Sequence, residues 1–340
     1  MLTPDEIGKI AFLLYPHITG GPLDSASIDA LAARVKDVHK GLSPEDEFAA
    51  TVCWLGNCAG IHRIDQTPMP VPEIAEKMRA PDFIAFPMVN GAPFPVLIEV
   101  KASKHTQMKW SAKYRSSLIA FAERLKLPLL VAWKTHDFWF LVDYHHLQQN
   151  QTGYRLDLDT AFREDLSCVL FRNLRIQMNP DLRFILHMDI LDEMLGDADT
   201  LLPEGMISFQ IRRAAFYAGG VQLEDKKPSF AFSLLMATPD HVELKRTGKQ
   251  TCDHIFRPLE NHGFSLSNVF VAQVSLRHGG EVDWHRVLTA PLPSSGLQLR
   301  DSLDAAIKNK FVRYVMDILP NTWPDFLPER PKVVRGEKAD

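Results

Sequence analysis

The chain has 340 residues, of which 46% are hydrophobic and 24% are charged, and its formal net charge is -4. These values are typical of folded globular proteins, and they exclude a disordered chain and a polycation that coats nucleic acid. At about 150 residues per domain, the length indicates about two domains. The longest apolar runs, such as 127–133, are far shorter than the roughly 18 residues of a membrane span.

The cysteines and the first residues indicate where the protein works. Four scattered cysteines are too few for a disulfide framework, which favours a reducing compartment. Residues 1–16 carry acidic side chains ahead of a short apolar stretch, the wrong order for a secretory signal. We therefore expect a cytoplasmic protein with no membrane partner.

The first third of the chain changes from helical to strand-like patterns. Residues 1–40 have apolar residues at helical spacing and form a predicted N-terminal helical segment. Ser43-Pro44 opens a further helix that continues to Gly60. Short strands are predicted at 61–65, 82–86 and 95–101, and Asn90-Gly91 between the last two is a strong hairpin signal.

A helical period returns over 105–126 and is followed by strands at 129–133 and 138–143. The first of these strands is apolar throughout, which predicts burial on both faces. The order helix, strand, strand, strand, helix, strand describes one compact α/β unit. We assign it to residues 41–147.

The rest of the chain predicts a second domain of the α+β class over residues 154–325, after a polar linker at 148–153. A flexible polar tail is predicted over 326–340. Strands are expected at 166–174, 183–188, 207–216, 229–236 and 269–276, and helices at 190–195, 251–262 and 299–319.

The strongest chemical signal is Pro81-Asp82 followed by Glu99-Val100-Lys101. Glu99 and Lys101 are two residues apart on a predicted strand, so their side chains leave the same face. The apolar residues before them belong in a core, where an acid and an amine are costly to bury unless they are paired or bind a metal. Asp82 begins the partner strand and brings a second carboxylate to the same end of the sheet. Two carboxylates, the Val100 carbonyl and water suit Mg²⁺, with Mn²⁺ as a substitute.

This motif and the order of elements resemble the PD-(D/E)xK nuclease superfamily, which has the restriction-endonuclease-like αβββαβ core. The resemblance covers residues 40–135. It implies that Asp82 and Glu99 hold the metal and that Lys101 positions and activates the attacking water. Many members add a glutamate from the helix before the sheet, and Glu47 is the best-placed candidate, with Glu45 as the alternative.

A basic segment beside the motif is independent evidence for a polyanionic substrate. Residues 101–126 contain seven basic side chains and one acidic side chain, in a protein that is acidic overall. Trp110 and Tyr114 add aromatic faces on which bases could stack. The candidate nucleic-acid-binding residues are Lys104, Gln107, Lys109, Lys113 and Arg115.

Two other patterns are weaker candidates for a functional site. Asp253-His254, with Asn268 and His278, faintly resembles an HNH nuclease, but residues 269–274 predict a strand where that motif has a helix. Cys53 and Cys58 lack a second pair of ligands at zinc spacing, so packed thiols are the better interpretation.

We therefore expect a Mg²⁺-dependent nuclease that hydrolyses DNA through a metal-activated water. An RNA-directed nuclease would use the same residues. The alternative from another class is a nuclease-derived binding or scaffold subunit without turnover, although a retired site would be free to lose one of its three residues. A homodimer or a partner subunit is also compatible with the sequence.

Overall fold

The computed structural model describes residues 44–65, 78–136, 138–193, 207–222, 240–258, 263–278, 282–289, 303–304, 306–308 and 310–330. These residues divide into two units. The first contains the described residues up to 172, together with 283–289 and 318–330. The second contains the described residues between 173 and 282 and between 303 and 317. The predicted helical segment 1–40 lies outside the described residues.

The elements of the first unit begin with helix α1 (44–55) and strand β1 (Cys58–Arg63). They continue with β2 (Phe83–Val89), β3 (Ala92–Pro93), β4 (Val96–Ser103), β5 (Gln107–Trp110), α2 (Ala112–Leu125), β6 (Leu129–Thr135), β7 (Phe138–Asp143), β8 (Gln148–Asn150), β9 (Gly153–Asp157), α3 (Leu158–Arg163) and α4 (Ser167–Phe171).

The second unit contains β10 (Arg175–Met178), β11 (Arg183–Glu193), β12 (Ile207–Ala218), β13 (Val221–Gln222), β14 (Asp240–Arg246), β15 (Thr251–Pro258), β16 (Gly263–Ser265), α5 (Leu266–His278) and β17 (Val312–Met316). Helix α6 (Trp284–Thr289) belongs to the first unit. The chain is therefore a mixed α/β protein, as predicted. Within the described part, no helix is long and apolar enough to cross a membrane.

The main sheet of the first unit has the strand order β1-β2-β4-β6-β7, and β3 pairs with β2. Strand β2 is antiparallel to β1 and β4, whereas β4 is parallel to β6. Helix α2 makes the crossover between the two parallel strands and packs Leu118 and Ala122 into the core. The predicted burial of 129–133 on both faces is confirmed, since every one of these residues is at most 1% exposed.

The predicted helix 105–126 is only partly correct. Its first part is strand β5, which pairs with β9. The helix begins at Ala112 because the Ser111 hydroxyl accepts a hydrogen bond from the Tyr114 amide and caps the first turn. It ends at Lys126, whose φ of 55° is left-handed.

The first unit also extends beyond the predicted boundary at 147. Residues 148–153 are not a linker, because β8 and β9 form a small sheet with β5. The predicted tail begins with packed residues, since the Phe326 ring stacks on Phe94 at 6.1 Å between ring centres. Residues 331–340 lie outside the described residues.

In the second unit, β11 and β12 confirm the strands predicted at 183–188 and 207–216, but several other predictions are wrong. The expected strand 166–174 contains helix α4, and the expected helix 190–195 falls partly on β11. The expected helix 251–262 contains β15, and the expected strand 269–276 is part of helix α5. The expected helix 299–319 is helical at 303–304 and 306–308, but strand β17 lies in its later part. The strand expected at 229–236 lies outside the described residues.

Candidate active site

Asp82 and Glu99 are buried carboxylates on neighbouring strands. Asp82 directly precedes β2, and Glu99 lies on β4. Asp82 is 5% exposed to solvent and Glu99 is 1% exposed. The Asp82 Oδ2 atom accepts a hydrogen bond of 2.7 Å from the Val100 amide. This bond holds Asp82 against β4, so the hairpin-like pairing of the two strands brings both acids to the same end of the sheet.

The two oxygens of Glu99 have different surroundings. Its Oε1 atom accepts hydrogen bonds from the Lys101 amine and the Tyr114 hydroxyl. Its Oε2 atom is buried and has no hydrogen-bond partner within the described part of the protein. Burial raises the pKa of Glu99, the charge of Lys101 opposes this shift, and the charge of Asp82 adds to it.

Lys101 and Tyr114 complete the hydrogen-bonded group. Burial alone would lower the pKa of Lys101, but the adjacent Glu99 and Tyr114 raise it overall, so the amine stays protonated at neutral pH. The amine also donates to the Val100 carbonyl at 3.2 Å. Burial and the charge of Glu99 raise the pKa of Tyr114 to about 12, so its hydroxyl remains a donor.

Two glutamates of α1 were candidates for a further acid, and the structure places them differently. Glu47 is buried and accepts hydrogen bonds from the Lys134 amine at 2.5 and 2.6 Å and from the Trp139 indole at 3.0 Å. Glu45 lies beside the site: burial and the charge of Asp82 raise its pKa, and the charges of Arg63 and Lys101 lower it.

Arg63 holds the start of α1 against the main sheet. Its guanidinium donates to Glu45 and, at 2.8 Å, to the Asp46 Oδ1 atom. The guanidinium carbon lies 5.0 Å from the centre of the Phe83 ring, immediately after Asp82 in the chain. No sequence pattern indicates this arginine, because its two carboxylate partners are 17 and 18 residues away.

The predicted nucleic-acid-binding residues fall into two groups. Four of them are exposed to solvent: Lys104, Gln107, Lys109 and Lys113. Of these, Gln107 and Lys109 lie on strand β5 and not on a helix. Arg115 contacts two aromatic rings, with its guanidinium carbon 5.2 Å from the Tyr144 ring centre and 4.2 Å from that of Tyr154.

The aromatic faces that were expected to stack on bases have other roles. Trp110 is 4% exposed and belongs to the hydrophobic core. The ring of Tyr114 already contacts two cations: the Arg79 guanidinium carbon and the Lys101 amine lie 4.9 and 5.1 Å from its centre. Neither Arg79 nor the hydroxyl of Tyr114 carried a signal in the sequence.

The HNH-like pattern does not assemble. Residues 266–278 form helix α5, so the expectation of a strand after Asn268 was wrong. However, β15 with Asp253 and His254 pairs with β11 and β14, whereas β16, which precedes α5, pairs with β10. The Asp253 carboxylate contacts the His187 ring at 2.7 Å instead.

The donor set of the candidate site is therefore a pair of carboxylates. Across the ranges that the structure describes, no group of three or more His, Cys, Asp or Glu side chains is arranged to hold a metal ion. The pair nevertheless fits a hard divalent cation, because the buried Oε2 atom of Glu99 is an unused oxygen ligand beside a second carboxylate.

One family model matches the part of the chain that carries the motif. Residues 71–174 match the family model described as archaeal Holliday junction resolvase (Hjc), and this segment contains Asp82, Glu99 and Lys101. Among solved structures, the chain is similar to Hjc of Archaeoglobus fulgidus, described as a Holliday junction resolvase from an archaeal hyperthermophile. The identity is 20%, the match covers 38% of this chain and 95% of that chain, and the TM-score is 0.31. A comparison with curated proteins found no match.

Proposed function

We propose that the protein is a divalent-metal-dependent endonuclease that hydrolyses phosphodiester bonds in branched DNA. The proposal starts from the superfamily: residues 71–174 belong to the restriction-endonuclease-like PD-(D/E)xK nuclease superfamily. The observation that carries the proposal is the buried pair Asp82 and Glu99, with one Glu99 oxygen left without a partner in the described structure. A buried carboxylate oxygen without a partner costs free energy, and a bound divalent cation would offset this cost.

Asp82, Glu99 and the Val100 carbonyl would hold the metal, with Mg²⁺ as the proposed ion and Mn²⁺ as a substitute. A bound divalent cation supplies an acidified water and neutralises charge on the phosphate. The Val100 amide fixes Asp82, and the Tyr114 hydroxyl and the Lys101 amine fix Glu99. These contacts preorganise both carboxylates on rigid strands.

The protonated amine of Lys101 is a donor and not a general base. We assign it two roles: it orients the attacking water by hydrogen bonding and stabilises the negative charge that develops on the phosphate. For the acid from α1, we propose Glu45 in place of Glu47. The charge of Glu45 is coupled to Asp82 and Lys101, whereas both Glu47 oxygens are occupied by Lys134.

The substrate class rests on two features. The matched family is described as resolving Holliday junctions, and the exposed Lys104, Lys109 and Lys113 suit a phosphate backbone. RNA cleavage and a scaffold role without turnover remain the alternatives. We further propose that helix α1, the main sheet and α2 form the αβββαβ core, and that residues beyond 172 select the target or mediate assembly with a second copy or partner.

A cytoplasmic location also remains part of this proposal. The four cysteines are all free, which is compatible with a reducing compartment.

The direct test is cleavage of labelled four-way, linear and circular DNA, and of RNA, with Mg²⁺, with Mn²⁺ and with EDTA. Asp82→Ala and Glu99→Ala should each abolish cleavage and also abolish any rise in melting temperature on adding Mn²⁺, because one carboxylate cannot fix the ion. Glu123→Ala removes an exposed acid of α2 and serves as the matched control. Full cleavage by the wild type in excess EDTA would exclude the proposal.

A further inference from the structure

Arg79 is attached to the candidate site through Tyr114. Its backbone amide donates to the Ser117 carbonyl of α2 at 3.1 Å, which ties the chain before β2 to this helix. Its guanidinium carbon lies 4.9 Å from the Tyr114 ring centre, and the Lys101 amine lies 5.1 Å from the same centre. Since the Tyr114 hydroxyl donates to Glu99, one aromatic side chain organises two cations and one carboxylate.

Arg79 differs from the other cations of the site in its partners. Lys101 is paired with Glu99, and Arg63 is paired with Glu45 and Asp46. Arg79 is exposed, and no carboxylate of the described residues pairs with it. Stacking on a ring orients a guanidinium and leaves the N–H groups at its edge able to donate.

We infer that Arg79 binds a backbone phosphate of the substrate strand, beside the phosphate that is cleaved. The carboxylates of the site would repel a polyanion, so a cation fixed next to them favours close approach of the strand. The planar fork of a guanidinium matches two phosphate oxygens. Arg79 is thus a substrate-binding residue and Tyr114 is its positioning residue; the assignment of a nucleic-acid strand rests on the proposed function.

The test compares Arg79→Ala and Arg79→Lys with wild type, using a fluorescent four-way DNA junction. The matched control is Arg313→Ala, because Arg313 is also exposed and stacks on a tyrosine, 5.2 Å from the Tyr314 ring centre, but lies in the second unit. Affinity is measured in EDTA over a range of salt concentrations, and the single-turnover rate is measured in Mg²⁺. The Mn²⁺-induced shift in melting temperature reports the metal site separately.

Arg79→Ala should weaken affinity about tenfold or more, reduce the salt slope by about 0.9, and leave the Mn²⁺ shift unchanged. Arg79→Lys should restore the salt slope but only part of the rate, because an ammonium lacks the fork. An Arg79→Ala protein with the wild-type slope and rate, or one that loses the Mn²⁺ shift, would overturn the inference. If Arg79→Ala reduces the salt slope but the wild type cleaves no DNA, the result would support phosphate binding by Arg79 and refute the nuclease. Wild type that binds no DNA would refute both.

Discussion

At the scale of single residues, a purely structural role does not explain the surroundings of the Glu99 carboxylate. It is the least exposed acid of the site, it carries one unpartnered oxygen, and its pKa is raised by burial. A structural carboxylate in a protein interior normally has its oxygens satisfied. Lys134 and Trp139 satisfy Glu47 in this way, whereas one oxygen of Glu99 has no hydrogen-bond partner in the described structure.

This contrast gives the first prediction, for Glu45→Gln and Glu47→Gln. Glu47→Gln should lower the free energy of unfolding by about 2 kcal/mol, because it leaves the partly buried Lys134 amine without its carboxylate. Glu45→Gln should change stability little but slow cleavage and weaken the Mn²⁺-induced stabilisation. Urea denaturation and single-turnover cleavage measure the two effects. The reverse pattern would return the catalytic assignment to Glu47.

The second prediction concerns Lys101 alone. Lys101→Ala should still bind DNA but should cleave about 10²- to 10³-fold more slowly, the usual effect of losing an electrostatic group. Lys101→Arg should restore little, because the guanidinium is larger and planar. Single-turnover kinetics with saturating enzyme separate this loss from binding. A scaffold without turnover predicts no cleavage by wild type with any divalent metal. Wild-type rates in Lys101→Ala would show that the active site lies elsewhere.

At the scale of elements, the third prediction tests the small sheet that carries Gln107 and Lys109. A Cβ atom added to Gly153, where β9 begins, would lie 2.2 Å from the Trp110 carbonyl oxygen of β5. Gly153→Ala should therefore lower the free energy of unfolding by about 3 kcal/mol, because backbone has to move. Gly91→Ala is the control: its φ is +81° and nothing lies within 4 Å, so only about 1 kcal/mol is expected. Equal losses would contradict this account of the β5–β9 contact.

The elements of the first unit also show which helices and strands could be predicted from the sequence and which could not. In the first unit, β6 is apolar throughout and α2 has a capped, periodic pattern, so local signals and tertiary packing agree. Strand β5 could not be predicted, because it is short, directly precedes α2 and depends on a partner strand almost fifty residues later. Asp82 and Glu99 could be proposed as site acids because the Pro81-Asp82 and Glu99-Val100-Lys101 pattern is visible in the linear sequence. Arg63, Arg79 and the hydroxyl of Tyr114 act only through long-range contacts.

In the second unit, short apolar runs predict the wrong type of element. Residues 269–276 are apolar on most faces, and such a run does not distinguish a buried helix from a strand. Helix α5 begins where it does because the Asn173 side chain accepts from the Ser267 amide and the Leu174 carbonyl accepts from the Leu266 amide. Both partners are about ninety residues away in sequence, and no local rule anticipates them.

At the scale of the whole molecule, the distribution of charge matters more than its total. The chain has a net charge of -4, yet residues 101–126 hold seven basic side chains and one acidic side chain. Lys101 is paired with Glu99, and Arg115 contacts the rings of Tyr144 and Tyr154. Lys104, Lys109 and Lys113 are exposed on consecutive segments around β5 and the start of α2. Positive charge concentrated in one exposed segment of an acidic protein attracts a polyanion to that segment.

The last prediction tests that surface with the triple substitution of Lys104, Lys109 and Lys113 by alanine. DNA affinity should fall, and its salt slope should decrease by about 0.9 for each phosphate contact that is lost. Cleavage at saturating enzyme should change little, because none of the three lysines contacts the site acids in the described structure. The matched control replaces Lys245, Lys249 and Lys310, three exposed lysines of the second unit, and so changes the net charge equally. If both triple variants lose the same affinity, net charge alone drives binding; if the first keeps the wild-type slope, this surface does not contact DNA.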